Sequence, residues 1–256
     1  MVDLHSHIAW DVDDGFPNLY DSREALARAR EDGIRGIVST PHFVPGQMDQ
    51  ELYDTITMRQ RELLYEAKKV RIVIYPGAEM FMNEYFAKAL HEGWYRTINN
   101  TKYLLVEYDV RRDIHDIDYR EDTLFEVEIH DMVPVIAHVE RYFHNGIDKK
   151  IIQEWFDKGY VFQVNRTSIL GEHGKQMQKN ALWLLDNGYV HVVASDAHRL
   201  SGVRTEKLSD VKTFLENRYG KETAELLLLN NPIKILENKK VENMEVKKRG
   251  LFSWLR

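Results

Sequence analysis

Apolar positions along the chain alternate between two regimes. Short runs rich in β-branched residues occupy 2–5, 34–40, 71–75, 103–107, 133–138, 161–164 and 190–195, with the length and composition of buried strands. Between them the apolar spacing lengthens from two residues to three or four. In 21–32, Ala25, Leu26 and Ala29 share a helical face behind Asp21 and Ser22, and Gly33 ends the segment. In 50–69, Leu52, Ile56, Leu63, Leu64 and Ala67 keep nearly the same period. Helices are also predicted at 83–91, 148–158 and 175–187, each with a glycine one or two residues beyond its end, and at 206–219 and 221–229.

Seven strands alternating with helices predict an α/β fold with a parallel sheet, because parallel strands need crossover connections. No repeat and no Gly/Ser/Pro-rich linker divides the chain, so a single domain over 1–238 is expected, followed by a tail over 239–256. An open sheet and a closed barrel both accommodate this pattern. Neither a Gly-x-Gly-x-x-Gly turn nor a P-loop favours the nucleotide-binding open sheet. The strand ends favour the barrel. The first strand delivers His5 and His7, with Asp14 and the turn residue Gly15 soon after. His42 follows the second in Ser39-Thr40-Pro41-His42, and Glu79 follows the third in Pro76-Gly77-Ala78-Glu79. Glu107 ends the fourth, His138 ends the fifth, and the sixth runs into Gln163 and Asn165. Asp196 and His198 follow the seventh. Six of the seven strands thus carry an imidazole or carboxylate at the carboxyl end, the face on which barrel enzymes build active sites.

Composition narrows the chemistry. The 256 residues are 43% hydrophobic and 30% charged, ordinary globular material, and no apolar run approaches a membrane span. A net charge of -6 argues against nucleic acid as the partner. Met1 leads straight into the first strand without a basic or apolar leader, so a cytoplasmic protein is expected. The chain has no cysteine, which removes disulfides, thiolate metal sites and a cysteine nucleophile together.

What remains is a nitrogen and oxygen donor set: His5, His7, Asp14, His42, Glu79, Glu107, His138, Asp196 and His198. Nine donors imply two or three ions. A mixture without sulfur suits Mn, Fe or Zn, and its carboxylate share leans toward Mn or Fe. Clustered divalent ions suit metal-assisted hydrolysis, most naturally of a phosphoester. Arg141 and Arg204, on loops of the same face, could hold phosphate oxygens, with Arg199 and Arg166 as further candidates. Structural readings stay open beside these: salt-bridged or capping roles for Glu79 and Glu107, a loop position for His42, a core position for His138, and surface ion pairs for the arginines. His91, His115, His130, His144, His173 and His191 lack comparable placement and read as structural or solvated.

Taken together, DLHSHIAWDVDDG, STPH, PGAE, the strand ending at Glu107, VIAHVERY, FQVN and VASDAH resemble the PHP (polymerase and histidinol phosphatase) superfamily over about residues 1–236. More narrowly, they resemble the manganese-dependent protein-tyrosine phosphatases of Gram-positive capsule and exopolysaccharide loci. The resemblance implies the PHP fold, a distorted (β/α)7-type barrel with a site for up to three divalent ions, Mn2+ above all. It allots His5, His7, Glu79 and Asp196 to one ion, and a bridging Glu79 with Glu107 and His138 to a second. Asp14, His42 and His198 fall to a third, and Arg141 and Arg204 to the substrate phosphate. It further implies phosphotyrosine hydrolysis by a metal-bound hydroxide, with a membrane-associated tyrosine autokinase as the partner. Arg199 stands where relatives commonly carry Asn, and Phe16 separates Gly15 from Pro17. Three other functions stay open: a histidinol-phosphatase-like enzyme for small phosphomonoesters, a phosphodiesterase or polymerase-associated proofreader, which the acidic chain disfavours, and a metal-stabilised kinase-binding module without turnover. The tail carries Lys247, Lys248 and Arg249 ahead of Leu251, Phe252, Trp254 and Leu255, a pattern of either a frayed end or a weak contact with an anionic membrane surface.

Overall fold

Strand β1 (Val2–Ser6) runs parallel to β2 (Gly36–Ser39), but not in even register. From Asp3↔Ile37 to Ser6↔Ser39, β1 advances three residues while β2 advances two. The extra residue is a β-bulge, which re-aims the side chains beyond it. Val2 and Leu4 pack in an inner apolar cluster with Val38, Leu105 and Val135. Strict alternation would send His5 to the face opposite Leu4. Past the irregularity, His5 and His7 instead meet Glu79, at the end of the inner cluster's own strands.

The structure, a computed structural model, describes residues 1–245. The basic and aromatic residues from Lys247 onward, and the membrane contact expected of them, lie outside the described residues. Pro41, with no N–H to donate, interrupts the predicted run at 34–40. The chain resumes as β3 (His42–Phe43), which pairs with β5 (Glu79–Phe81), while β2 pairs with β4 (Val73–Pro76). A second break, at Gly77 and Ala78, separates β4 from β5. The sheet then continues through β6 (Tyr103–Glu107), β7 (Val133–Ile136), β8 (Val161–Asn165) and β9 (Val192–Ala194), every pairing parallel. Beyond β9 the chain returns to β1: the Asp196 amide donates to the His5 carbonyl and the His7 amide to the Ala197 carbonyl, each at 2.9 Å. A three-stranded and a six-stranded sheet thus meet where the chain beyond β9 runs beside β1, and the chain passes directly from one into the other at β2–β3 and β4–β5, which gathers the strands' carboxyl ends around one mouth.

Helices pack outside these sheets over a larger apolar layer. Asn18, not Asp21 or Ser22, caps α1 (Leu19–Asp32), its side chain accepting the Asp21 amide at 2.9 Å. Asp49 caps α2 (Gln50–Lys69) in the same way. After α3 (Phe86–Glu92) comes α4 (Arg120–Ile129), which the apolar spacing does not reveal. Phe125 and Ile129 are exposed there while Leu124 and Val127 are buried, so apolar residues surround the helix and its period is hidden. Next come α5 (Lys149–Asp157), the single turn α6 (Arg166–Ile169) and α7 (Lys175–Asp186). The helix expected over 206–219 begins later, as α8 (Ser209–Tyr219). Glu206 is drawn inward by a 2.7 Å hydrogen bond from Ser6 Oγ, and Asp32 of α1 accepts the Leu208 and Ser209 amides. The chain then passes through α9 (Lys221–Glu225) and a π-helical turn into α10 (Asn231–Leu236). Among the described residues, no helix is long and apolar enough to cross a membrane.

His191, leading into β9, is a structural imidazole with a measurable signature. It is buried, its Nδ1 accepts the Phe162 amide at 3.0 Å, and its Nε2 lies 3.1 Å from Asn243 Oδ1. Both nitrogens are used by the neutral ring, and burial pushes the pKa down to about 4. The unfolded chain, with an ordinary value of about 6.5, takes up this proton first. Stability therefore falls as pH drops from 6.5 toward 4, by at most about 3 kcal/mol from this group. In an NMR titration the His191 ring should stay neutral to below pH 5.

Candidate metal centre

Glu79 is the hub of the mouth. Its Oε2 lies 3.2 Å from His5 Nε2, 3.1 Å from His7 Nε2 and 3.2 Å from His42 Nδ1, and its Oε1 lies 3.1 Å from His138 Nε2. Glu107 stands 3.0 Å from His42 Nδ1 and 3.5 Å from His138 Nε2. Asp196 Oδ1 is 3.5 Å from both His5 Nε2 and His198 Nδ1. On the open side, Asp14 Oδ1 lies 3.3 Å from the Nε2 atoms of His42 and His198. All nine residues picked out from the sequence thus meet in one place. They form four overlapping groups, His7–Asp14–His42–His198, His5–His7–Asp196, His5–Glu79–His138 and His42–Glu79–Glu107, each with donor atoms within 4.8 Å of one another.

Local backbone features aim these side chains. The bulge in β1 turns His5 and His7 inward. Gly15 follows because there is no room for more: a Cβ there would sit 2.4 Å from the His7 carbonyl oxygen and 2.7 Å from Asp13 Oδ1. His138 (φ 33°) and Asp196 (φ 54°) adopt left-handed conformations just past β7 and β9, which turns each side chain out of its strand's alternation. Such conformations cost non-glycine residues of order 1–3 kcal/mol and cluster at functional sites.

A second layer orients the imidazoles. Asp13 Oδ2 lies 2.7 Å from His7 Nδ1 and accepts the His42 amide, while Oδ1 takes the Gly15 amide. Gln163 Oε1 sits 3.1 Å from His5 Nδ1 and accepts the His138 amide. Gln163 in turn donates to Asn165, whose Nδ2 donates to Asp196 Oδ2 at 2.7 Å. Each Nδ1 contact leaves the Nε2 of His5 or His7 for the centre, the usual support of a metal-binding histidine. Asp13 was visible in the sequence only as a neighbour of Asp14. Gln163 and Asn165 occupy the right strand end but are not typical ligands, so their type gave no signal.

The charge balance of the mouth is that of a cation site. Burial alone would depress His5, but the Glu79 and Asp196 carboxylates outweigh it and lift its pKa to about 9. His42, His7 and His138 are raised as well against burial, His42 by Glu107 and Asp14, His7 by Asp13, and His138 by Glu107 and Glu79. Burial would raise Glu79 and Asp196, yet the surrounding imidazoles, with Arg204 at Asp196, hold both well below the carboxylate range. His198 goes the other way, down to about 4, through burial and the neighbouring His7. His42 Nδ1 is buried and, though 3.0 Å from Glu107 and 3.2 Å from Glu79, makes no aligned hydrogen bond to either. Such a nitrogen among depressed carboxylates, with no sulfur, fits divalent ions of the Mn, Fe or Zn type.

A family model described as capsular polysaccharide synthesis, CpsB/CapC, matches residues 1–237. The chain belongs to the CpsB/CapC family. The tyrosine-protein phosphatase CpsB of Streptococcus pneumoniae is 32% identical over 243 residues, covering 92% of this chain and 98% of that protein. The tyrosine-protein phosphatase YwqE of Bacillus subtilis is 28% identical over 260 residues, 99% of this chain and 100% of its own. Among solved structures, those of YwqE and CpsB, described as unique metal-dependent tyrosine phosphatases, include a chain with TM-score 0.80 and 27% identity that covers 95% of this one and 97% of itself.

In this CpsB/CapC chain the four candidate arginines divide into two kinds. Arg204 Nη2 lies 2.7 Å from Asp196 Oδ1 and 2.8 Å from His198 Nε2, and Arg141 Nη1 lies 3.9 Å from Asp196 Oδ2. These two guanidiniums flank one carboxylate at the edge of the donor cluster. Arg199 spends its Nη1 on the carbonyls of Asp14, Gly15 and His198, so it fastens the loop that carries Asp14. Arg166 is buried in a double pairing with Glu172 and Asp210 and also donates to the Val203 carbonyl.

Proposed function

We propose that this chain is a metal-dependent protein-tyrosine phosphatase, with Mn2+ as its working ion. The natural substrate, on this reading, is a phosphotyrosine on a membrane-associated tyrosine autokinase of capsule or exopolysaccharide synthesis, which goes with a cytoplasmic location. The observation that carries the reading is the nine-donor mouth with Arg141 and Arg204 against its edge, in a chain whose relatives CpsB and YwqE are named tyrosine-protein phosphatases. His5, His7, Glu79 and Asp196 would hold one ion, Glu79, Glu107 and His138 a second, and Asp14, His42 and His198 a third. Divalent ions there supply positive charge for phosphoryl oxygens and lower the pKa of water.

The chain's own residues do the rest. Arg141 and Arg204 present planar donors that match phosphate oxygens, and the carboxylate between them keeps both aimed while the site is free. Asp13, Gln163 and Asn165 keep the imidazoles and Asp196 in place. With no cysteine in the chain, no cysteinyl-phosphate can form. The test is a comparison of kcat/KM for a phosphotyrosine peptide, p-nitrophenyl phosphate and histidinol phosphate with the Mn-loaded protein. Phosphotyrosine should exceed histidinol phosphate by at least about a hundredfold, and iodoacetamide should change nothing. The reverse preference would make the chain a small-molecule phosphatase, and no turnover of any of the three would leave it a binding module.

A further inference from the structure

His173 belongs to none of the metal groups, and its type and spacing say only that it is a loop histidine. The fold gives it a particular place. The sheet order β7-β8-β9 sets the loop after β8, which carries His173, between the loop with Arg141 and the loop with Arg204. Two contacts fasten these loops together. Arg166 Nη1 reaches both Glu172 Oε2 at 3.1 Å and the Val203 carbonyl at 2.9 Å, the residues immediately before His173 and Arg204. Glu140, immediately before Arg141, accepts the Asn165 amide at 3.2 Å.

The ring's protonation follows from its partners. Nδ1 lies 3.1 Å from Thr167 Oγ1 and 3.2 Å from Ser168 Oγ. Thr167 Oγ1 has no other partner among the described residues and is free to donate its hydroxyl proton to Nδ1, the tautomer that puts the ring proton on Nε2. Nε2 has no hydrogen-bond partner among the described residues, and the ring is only partly buried. Burial and the charges of Arg141 and Arg204 hold the pKa down to about 4 against the pull of Asp196, so the ring is neutral at working pH. In that tautomer a neutral imidazole donates through Nε2–H and adds no charge to a site already rich in cations.

We propose that His173 is a third substrate-phosphate ligand, its Nε2–H donating to a phosphoryl oxygen held between Arg141 and Arg204. This rests on the phosphatase reading above, and it adds a donor outside the metal set. Nothing is transferred: the proton stays on the ring.

Three variants of the Mn-loaded full chain test it, read by KM and kcat for p-nitrophenyl phosphate and by the inhibition constant of inorganic phosphate. A glutamine amide can place its N–H near the position of Nε2. Asparagine reaches only as far as Nδ1 and so keeps the Thr167 contact alone. His173→Ala and His173→Asn should each raise KM and the phosphate inhibition constant about tenfold or more, the loss of one hydrogen bond to a charged oxygen. In both, kcat should stay within about threefold, because a raised KM with kcat nearly unchanged marks a lost binding contact rather than a lost chemical one. His173→Gln should recover most of that loss. The reverse pattern, with Asn near wild type and Gln like Ala, would make the ring a loop fastener and overturn the proposal, as would an unchanged phosphate inhibition constant in all three. Wild-type protein inert toward every phosphomonoester would instead overturn the phosphatase reading itself.

Discussion

Glu79→Gln should abolish most turnover and most metal binding while leaving the fold in place. Among the described residues, Glu79 is the one carboxylate within about hydrogen-bond distance of four imidazoles, those of His5, His7, His42 and His138. Glutamine keeps the volume and one carbonyl oxygen but removes the charge that those rings share. Breaking a buried charge cluster from one side costs about 3–5 kcal/mol, because the partners stay buried without compensation. If that cost falls on the loaded state, kcat/KM should drop by about two to nearly four orders of magnitude. Elemental analysis should show fewer than the wild-type number of Mn ions per chain, and circular dichroism should be unchanged. Glu107→Gln is the internal comparison: this residue meets two imidazoles rather than four, so its loss should be smaller. Wild-type Mn content with turnover within tenfold in Glu79→Gln would remove Glu79 from the centre of the site.

Much of this site was legible because its donors sit at strand ends, and strand ends are visible as the close of β-branched runs. Glu107 is the last residue of β6, and His138 and Asp196 lie two residues beyond β7 and β9. Three things were not legible, each for a physical reason. β3 and β5 are two and three residues long, too short for a period-two pattern. They come into being because Pro41 and Gly77 interrupt longer runs and let the chain change partners. The bulge in β1 depends on register with β2, which no local pattern encodes. It is nevertheless what lets Leu4 and His5, adjacent in sequence, both serve the inner side. The left-handed His138 and Asp196 are the third case, since neither is a residue type whose sequence position announces a positive φ in a strand connection. Long-range charge also decided what spacing could not. Arg199 and Arg204 are five apart on one loop, but only Arg204 lies against Asp196, while Arg199 is spent on the carbonyls around Asp14.

Manganese uptake should release protons, and its affinity should rise steeply with pH. The imidazoles of His5, His7, His42 and His138 are all lifted above the ordinary histidine value by the carboxylates they face, His5 to about 9. In chelator-stripped protein at pH 7 His5 therefore holds its proton and the other three carry more proton than an ordinary histidine does, and an ion that takes their lone pairs must displace it. Full loading should release more than one proton per chain, measured by calorimetry in two buffers of different ionisation enthalpy. The same shift fixes the sign of the stability change. His5 has a higher pKa folded than unfolded, so its contribution is fully present below about pH 6.5 and is lost as pH rises through 9. The carboxylates of the mouth, all held below their ordinary range, do not titrate in that window. Stripped protein should thus lose stability between pH 6.5 and 9, by about 3 kcal/mol from His5 alone, whereas Mn-loaded protein, with its imidazoles already unprotonated, should hold its melting temperature. Loading without proton release, or a stripped protein that gains stability toward pH 9, would show that the carboxylates are not balanced by these four rings, and the cluster would then have to be a hydrogen-bonded core rather than a cation site.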